Sequence, residues 1–162
     1  MAAVDFFLKL DGIDGESDDA KHKGEIQIES FSWGLSNSGS AAHGGGGGAG
    51  KASFQDFHFT SSVSKASPKL FLACCTGEHI KQCVITCRKA GENQTEFYVI
   101  KLTDILISSF EQAGSSSSDA VPTDSFSLNY SKVEMEYRPQ SRDGATSSPV
   151  KAGWDLAKNV KI

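Results

Sequence analysis

The chain has 162 residues, enough for one domain with a core of its own. Its formal net charge is −4 and its estimated pI is 5.5, so it lacks the basic surface typical of nucleic-acid-binding proteins. The opening residues "MAAVDFFL" have an acid where a signal peptide needs basic residues, and no apolar run is long enough to span a bilayer. We therefore expect one domain over 1–162, made in the cytosol, with neither nucleic acid nor a membrane as partner.

Runs rich in β-branched and aromatic residues recur along the chain and are separated by clusters of Gly, Ser, Asp and Pro. This pattern is typical of an all-β barrel or sandwich. The predicted strands are 4–10, 25–35, 52–60, 80–89, 95–102, 105–110, 125–137 and 153–156.

One helix interrupts the predicted strands. Ser67 can cap its first turn, Pro68 is favoured just inside that turn, and Gly77 can adopt the left-handed conformation that ends a helix. The segment 70–75 is apolar on nearly all sides, which predicts a short and largely buried helix.

The segment 95–102 is apolar on both of its faces. Side chains alternate along a strand, so Val99 lies on one face and Ile100 on the other. An antiparallel sheet with one face in water would carry polar residues there. We expect the helix to cover part of the sheet and another subunit to cover more.

In two predicted strands the apolar residues move from even to odd positions, or the reverse, and so from one face of the strand to the other. The change lies between Ile28 and Phe31 in the first strand and after Tyr130 in the second. A bulge or sharp twist at 29–30 and another at 131–132 would account for these changes.

The segment "GGGGGAGKAS" at 44–53 approaches the phosphate-binding pattern G-x-x-x-x-G-K-[ST], with Gly45, Gly50 and Lys51 in place. Ala52 stands where the pattern needs a hydroxyl. The alternating phenylalanines that follow predict a strand, so no helix N-terminus is present to bind a phosphate. The pattern disfavours a nucleotide-binding enzyme and indicates an extended loop.

A second partial motif begins at Asp14. Asp14, Glu16, Asp18 and Glu25 occupy positions 1, 3, 5 and 12 of a calcium-binding EF-hand loop, but Asp19 stands where the sharp turn needs glycine. The flanking segments are predicted strands rather than helices. We therefore expect an acidic inter-strand loop without metal, and a calcium-dependent adhesin is the alternative.

The four cysteines, Cys74, Cys75, Cys83 and Cys87, are interpreted as small buried hydrophobes. The last two are four residues apart in a predicted strand and therefore roughly 13 Å apart, which is unsuitable for zinc. His58 is interpreted as an alternating strand position. The sequence shows no catalytic arrangement, so we expect neither an enzyme nor a cofactor.

Several blocks in order resemble one family over nearly the whole chain. They are "ESFSWGLSNSGS", "GKASFQDFHFT", "SPKLFLACCTGEH", "RKAGENQTEFYVIKLTDILISSF", "NYSKVEMEYRPQ" and "GWD". Together they resemble the Hcp (haemolysin-coregulated protein) family, the tube proteins of bacterial type VI secretion systems. The resemblance implies a mainly β, two-sheet β-barrel-like domain, similar to phage tail-tube proteins, with one short flanking α-helix.

The resemblance also implies an assembly. Six subunits would close into a ring, and the rings would stack into a hollow tube that meets sheath proteins, a spike protein and the baseplate. Effector proteins would travel in the lumen. The protein would be assembled in the bacterial cytoplasm and then secreted to the medium or a target cell without a signal peptide. A monomeric secreted binding module is the alternative.

The predicted site residues are interfacial. The loop at about 37–51 is expected to reach a neighbouring subunit or ring, with Lys51 seeking a carboxylate. Ser32 lies in the segment that the family places towards the inner wall, and it is the lumen candidate. The predicted interface residues are Asn37, Ser40, His43, Gly44, Gly45, Gly46, Gly47, Gly48 and Lys51.

Overall fold

The computed structural model describes residues 4–39, 51–91, 94–117, 119–140 and 148–162. These parts of the chain form eleven strands and one helix, which confirms the predicted mainly β class. The elements are β1 (Val4–Leu10), β2 (Ile26–Ile28), β3 (Ser30–Ser32), β4 (Leu35–Asn37), β5 (Ala52–Phe54), β6 (Phe57–Ser62), α1 (Ala66–Thr76), β7 (His79–Lys89), β8 (Glu96–Ala113), β9 (Thr123–Tyr137), β10 (Val150–Asp155) and β11 (Val160–Lys161).

Nine of these strands form one antiparallel sheet, and β4 and β5 form a separate two-stranded ribbon. The path through the large sheet is β11-β10-β9-β8-β7-β1-β2, and β6 joins it by pairing with both β9 and β3. The sheet is therefore not closed, although the predicted domain is barrel-like. The strands β2 and β3 belong to one short segment, but β2 pairs with β1 at one end of the path, whereas β3 pairs with β6 on the branch from β9.

The predicted single strand 25–35 is three short strands. The chain changes its pairing partner at Glu29, because β2 pairs with β1 whereas β3 pairs with β6. The Glu29 backbone N–H donates to the Thr60 carbonyl at 2.8 Å, so the corner is held by a hydrogen bond of its own. This partner change explains the parity change that the sequence shows at 29–30. The predicted strand 52–60 is likewise divided, into β5 and β6.

The predicted strands 95–102 and 105–110 are one continuous strand, β8. Asp104 separates them with a φ of 55°, but the pairing with β9 continues in the same register from Thr103 to Ile105. The predicted irregularity at 131–132 is therefore a twist, since no residue is inserted there. The register shift of this pair lies between Ile107 and Ser109.

Three adjacent strands change the face that they bury at the same level of the sheet. The change occurs around Lys81 in β7, Asp104 in β8 and Ser131 in β9, which are neighbours by register. The buried residues on either side of it are Ile80 and Cys83, Leu102 and Ile105, and Tyr130 and Val133.

The helix begins at Ala66, so Ser67 lies in its first turn and is not the cap that we predicted. The N-cap position is Lys65, which makes no side-chain capping hydrogen bond; just before it, the Ser64 Oγ accepts from the Ala66 N–H at 3.2 Å and the Ser64 carbonyl accepts from the Ser67 N–H at 3.0 Å. Ser67 instead donates its hydroxyl proton to the buried Asp124. Gly77 ends the helix with a φ of 66°, as predicted.

The prediction that the helix is largely buried was wrong. Leu70 and Ala73 pack against the sheet, but Phe71 is 55% exposed and Leu72 is 59% exposed. The helix lies along β8 and therefore buries only one side of its apolar surface.

The core is centred on aromatic rings from β3, β6 and β9. The ring of Phe57 is fully buried, and its centroid lies 4.7 Å from that of Trp33 and 5.6 Å from that of Tyr130. The contact with Trp33 joins the segment between β3 and β4 to the large sheet.

We predict that Phe57→Ala lowers the free energy of unfolding by about 3–5 kcal/mol, because it removes a fully buried ring from the core. Urea unfolding of the full chain measures this change. The matched control is Phe71→Ala, which truncates an exposed phenylalanine and should cost less than about 1 kcal/mol. Equal losses in the two variants would contradict this account of the core.

Candidate interaction surfaces

The ribbon of β4 and β5 forms the base of the predicted interface loop. Asn37 pairs with Ala52, so Asn37 and the exposed Lys51 lie at the same end of the ribbon. The Asn37 Oδ1 accepts from the Gly39 N–H at 2.8 Å. The other predicted interface residues lie outside the described residues: Ser40, His43, Gly44, Gly45, Gly46, Gly47 and Gly48.

An apolar groove of about 320 Å³ lies between this ribbon and the sheet. Trp33 and Phe54 line it on the ribbon side, and Met135 and Trp154 line it on the side of β9 and β10. Leu35, also on the groove, is 53% exposed.

Further apolar side chains are exposed along the nearby edge of the sheet. Val150 and Tyr137 form a cross-strand pair and are 63% and 46% exposed. Val160, in the two-residue edge strand β11, is 48% exposed, but it pairs with Asp155 and therefore lies on the other face of the sheet from Trp154. Exposed apolar side chains beside an apolar groove, such as Leu35, Val150 and Tyr137, mark an interaction site more often than the free surface of a monomer. This end of the subunit is therefore the strongest interface candidate among the described residues.

Ser32, the predicted lumen residue, lies on a polar face formed by β3, β6, the first part of β9 and the second part of β8. It pairs with His58, which in turn pairs with Ser127. His58 is exposed between the buried Phe57 and Phe59, which confirms the predicted alternation. We call this surface the hydroxyl face; its members are Ser30, Ser32, His58, Thr60, Ser62, Ser109, Ser125 and, buried beneath Ser108 and Ser109, Ser127.

Hydrogen bonds connect the hydroxyl face to the carboxylates around it. The Ser108 Oγ donates to the Asp56 Oδ2 at 2.7 Å, and the Asn129 Nδ2 donates to the Asp56 Oδ1 at 3.0 Å. At the other end of the face, the Ser62 Oγ donates to the Glu29 Oε1 at 2.6 Å. These contacts fix the positions of two carboxylates beside the face.

The acidic loop after β1 is fastened to the sheet by an ion pair that the sequence did not reveal. The Asp19 carboxylate accepts two hydrogen bonds from the Arg88 guanidinium, at 2.9 and 2.6 Å. The Arg88 side chain is only 3% exposed, lies over the Phe7 ring and also meets Asp5 at 3.4 Å. The guanidinium holds the pKa of Asp19 well below its usual range, and the same hydrogen bond raises the pKa of Arg88.

The residues at the EF-hand-like positions of this loop do not converge on one point. The Glu25 carboxylate lies 2.9 Å from His22 Nδ1, and the other ring nitrogen of His22 lies 2.7 Å from Glu96. Asp14 and Glu16 are exposed. In the part of the chain that the structure describes, no group of three or more His, Cys, Asp or Glu side chains is placed to hold a metal ion.

The cysteines divide into two classes. Cys83 and Cys87 are buried, as predicted, whereas Cys75 is exposed and Cys74 is half-buried, which corrects that prediction for the helical pair. Burial raises the pKa of the Cys83 thiol strongly and that of Cys87 to about 11. Cys75 lies on the side of α1 that the sheet leaves uncovered, whereas Cys74 packs against the edge of the core.

Among the described residues, no helix combines the length and apolar character needed to cross a membrane.

A family model described as "Type VI secretion system effector, Hcp" matches residues 7–137. The chain belongs to the Hcp family. This confirms the resemblance in the sequence and makes the chain a type VI secretion tube protein, of a family of secreted structural proteins.

Individual members agree with this assignment over the full chain. The Hcp-family chain is 45% identical to protein hcp1 of Pseudomonas aeruginosa, over 98% of this chain and 99% of that protein. Its fold matches the crystal structure of Hcp1 from Salmonella typhimurium with a TM-score of 0.83 at 36% identity, covering 99% of this chain and 100% of that one. A further structure, described as a type six secretion system protein, matches with a TM-score of 0.92 at 30% identity and the same coverage.

We predict that Asp19→Asn destabilises this Hcp-family chain by about 3 kcal/mol at pH 7, because it leaves the buried Arg88 without its main counter-charge. Since the folded pKa of Asp19 is lowered, its contribution is full above the unfolded pKa of about 4 and is lost as the pH falls below it. The difference between wild type and variant should therefore shrink in acid.

Urea unfolding at a series of pH values measures both effects. The matched control is Asp18→Asn, which neutralises the exposed neighbouring carboxylate and should change stability little. A loss that is equal in both variants, or constant with pH, would show that the ion pair does not fasten the loop.

We also predict that a thiol reagent modifies Cys75 in the folded protein and spares Cys83 and Cys87 until the chain unfolds. Mass spectrometry after brief treatment with iodoacetamide, with and without urea, identifies the modified residues. Modification of Cys83 under native conditions would contradict the packing of β7 against β1 and β8.

Proposed function

We propose that this chain is a structural subunit that closes into rings of six, and that these rings stack into the inner tube of a type VI secretion system. The observation that carries the proposal is the exposed apolar surface formed by the ribbon and the edge of the sheet. Leu35, Val150 and Tyr137 are each about half exposed or more, and β11 leaves an edge strand at the same side. A second copy can cover both features.

A head-to-tail contact suits this surface. When one patch of a subunit binds a different patch of the next, the assembly forms a ring if the rotation closes. Asn37 and Lys51, at the two ends of the predicted loop, lie at the ribbon beside this surface, which supports the proposal that the loop contacts a neighbour in the same ring or the next one. Asn37 and Lys51 stand at the base of this loop and are the described members of the proposed contact.

We further propose that the hydroxyl face lines the channel of the tube, with Ser32 in contact with effector proteins. This face is largely polar; among the described positions of its strands, Leu106, which pairs with Asn129, is the one large apolar residue that is exposed, at 39%. A water-filled lumen suits such a surface.

The other proposed partners are the proteins that an expelled tube would contact in the secretion machine. Sheath proteins would surround it, a spike protein would meet its tip and the baseplate would start its growth. The subunit would assemble in the bacterial cytoplasm and leave the cell within the expelled tube. Its role would be to carry load and cargo rather than to catalyse a reaction.

We predict that Val150→Asp prevents ring formation, because a carboxylate placed in an apolar contact must be desolvated without a partner. The wild type should give six-fold rings in negative-stain images and a light-scattering mass of six chains, whereas the variant should scatter as a monomer. Circular dichroism establishes that the variant is folded.

Val121→Asp is the matched control, since Val121 is 59% exposed but lies in the loop between β8 and β9. It should assemble like the wild type. A wild-type chain that remains monomeric at micromolar concentration would contradict the tube and favour a secreted binding module.

A further inference from the structure

The hydroxyl face differs in charge from the rest of the sheet. The segments that form it, 30–32, 55–62, 105–113 and 123–130, contain no lysine or arginine. Besides the buried Asp124, they carry Asp56 and Glu111, and Glu29 lies immediately before β3. The cationic strand residues lie elsewhere: Lys9, Lys81, Arg88, Lys89, Lys101, Lys132, Lys151 and Lys161.

One of these carboxylates, Glu111, lines a hollow in this face. The hollow has a volume of about 560 Å³, and Ser32, His58 and Glu111 are among its lining residues. Glu111 is exposed at one side of it, and Glu29 is exposed beyond the Ser30 and Thr60 pair. Hydroxyl groups occupy the positions between these carboxylates.

The hydrogen bonds of the face leave acceptors available. An ionised carboxylate has about four acceptor positions, and the bonds from Ser62 to Glu29 and from Ser108 and Asn129 to Asp56 use one or two of them. The face therefore presents oriented acceptors that lack a cationic side chain among the described strands that build it. Lysine and arginine are the complementary protein groups.

We propose that the hydroxyl face binds cargo proteins through a basic, lysine- or arginine-rich surface. The inference rests on the proposed function in placing this face on the channel wall. A ring would repeat the three carboxylates in every subunit, so each weak ion pair would act together with its copies. The same charges would disfavour acidic cargo, which gives the channel a selectivity that hydroxyl groups alone would not supply.

His58 occupies the middle of this surface. It pairs with Ser32 on one side and Ser127 on the other, and its side chain is exposed. A lysine at this position would place a fixed positive charge between the carboxylates. His58→Lys should therefore prevent binding of a basic partner without disturbing the core, whereas His58→Gln should retain it.

The experiment compares two fluorescent peptides, one alternating lysine with serine and the other alternating glutamate with serine, by anisotropy with the full-length chain. The wild type should bind the lysine peptide and not the glutamate peptide, and added salt should weaken binding. The double variant Glu29→Gln, Glu111→Gln should bind about fivefold more weakly, as expected for two exposed ion pairs.

The matched control is Asp18→Asn, Glu78→Gln, which removes two exposed carboxylates elsewhere and should bind like the wild type. Equal weakening in both double variants would overturn the proposal, because net charge alone would then explain the binding. So would a wild type that binds neither peptide or prefers the glutamate peptide.

Light scattering on the same samples separates this inference from the proposed function. Rings without peptide binding would contradict the charge selectivity and leave the tube standing. Peptide binding that follows the carboxylates of the face, in a chain that stays monomeric, would support the site and contradict its place on a channel wall.

Discussion

The pairing of β8 with β9 determines where the other elements lie. These two strands pair from Tyr98 and Tyr137 to Ala113 and Thr123, and they change their buried face together at Asp104 and Ser131. On the N-terminal side of Ser131, β9 pairs with β6, and on the C-terminal side it pairs with β10. The hydroxyl face and the exposed apolar edge are therefore parts of the same sheet, separated by one coordinated twist.

The features of the fold that depend on local sequence could be predicted. The alternation around His58 in β6 and the left-handed glycine at Gly77 follow from steric rules that act within a few residues. The division of 25–35 into separate strands and the continuity of β8 depend on which distant strand supplies the hydrogen bonds. The parity change near Glu29 signalled a break, but a single sequence does not show that the chain exchanges β1 for β6 there.

The candidate surfaces were only partly visible in the sequence. Ser32 and Lys51 were proposed through the family resemblance, but the hydroxyl face appears only when the strand register places Ser32 beside His58 and Ser127. Asp19 looked like a defect in a calcium loop, and its role depends on Arg88, which lies 69 residues away. The exposed side of α1 was missed for a related reason, since an all-apolar helix does not indicate how much of it the sheet will cover.

The central claim is that copies of this chain form six-membered rings with the hydroxyl face inside. Cryo-electron microscopy of the assembled wild-type protein tests it most directly. The account predicts six-fold rings in which Ser32 and His58 line the channel while Val150 and the ribbon of β4 and β5 contact a neighbouring subunit. Rings with the hydroxyl face turned outward or buried between subunits, or particles without six-fold symmetry, would contradict it.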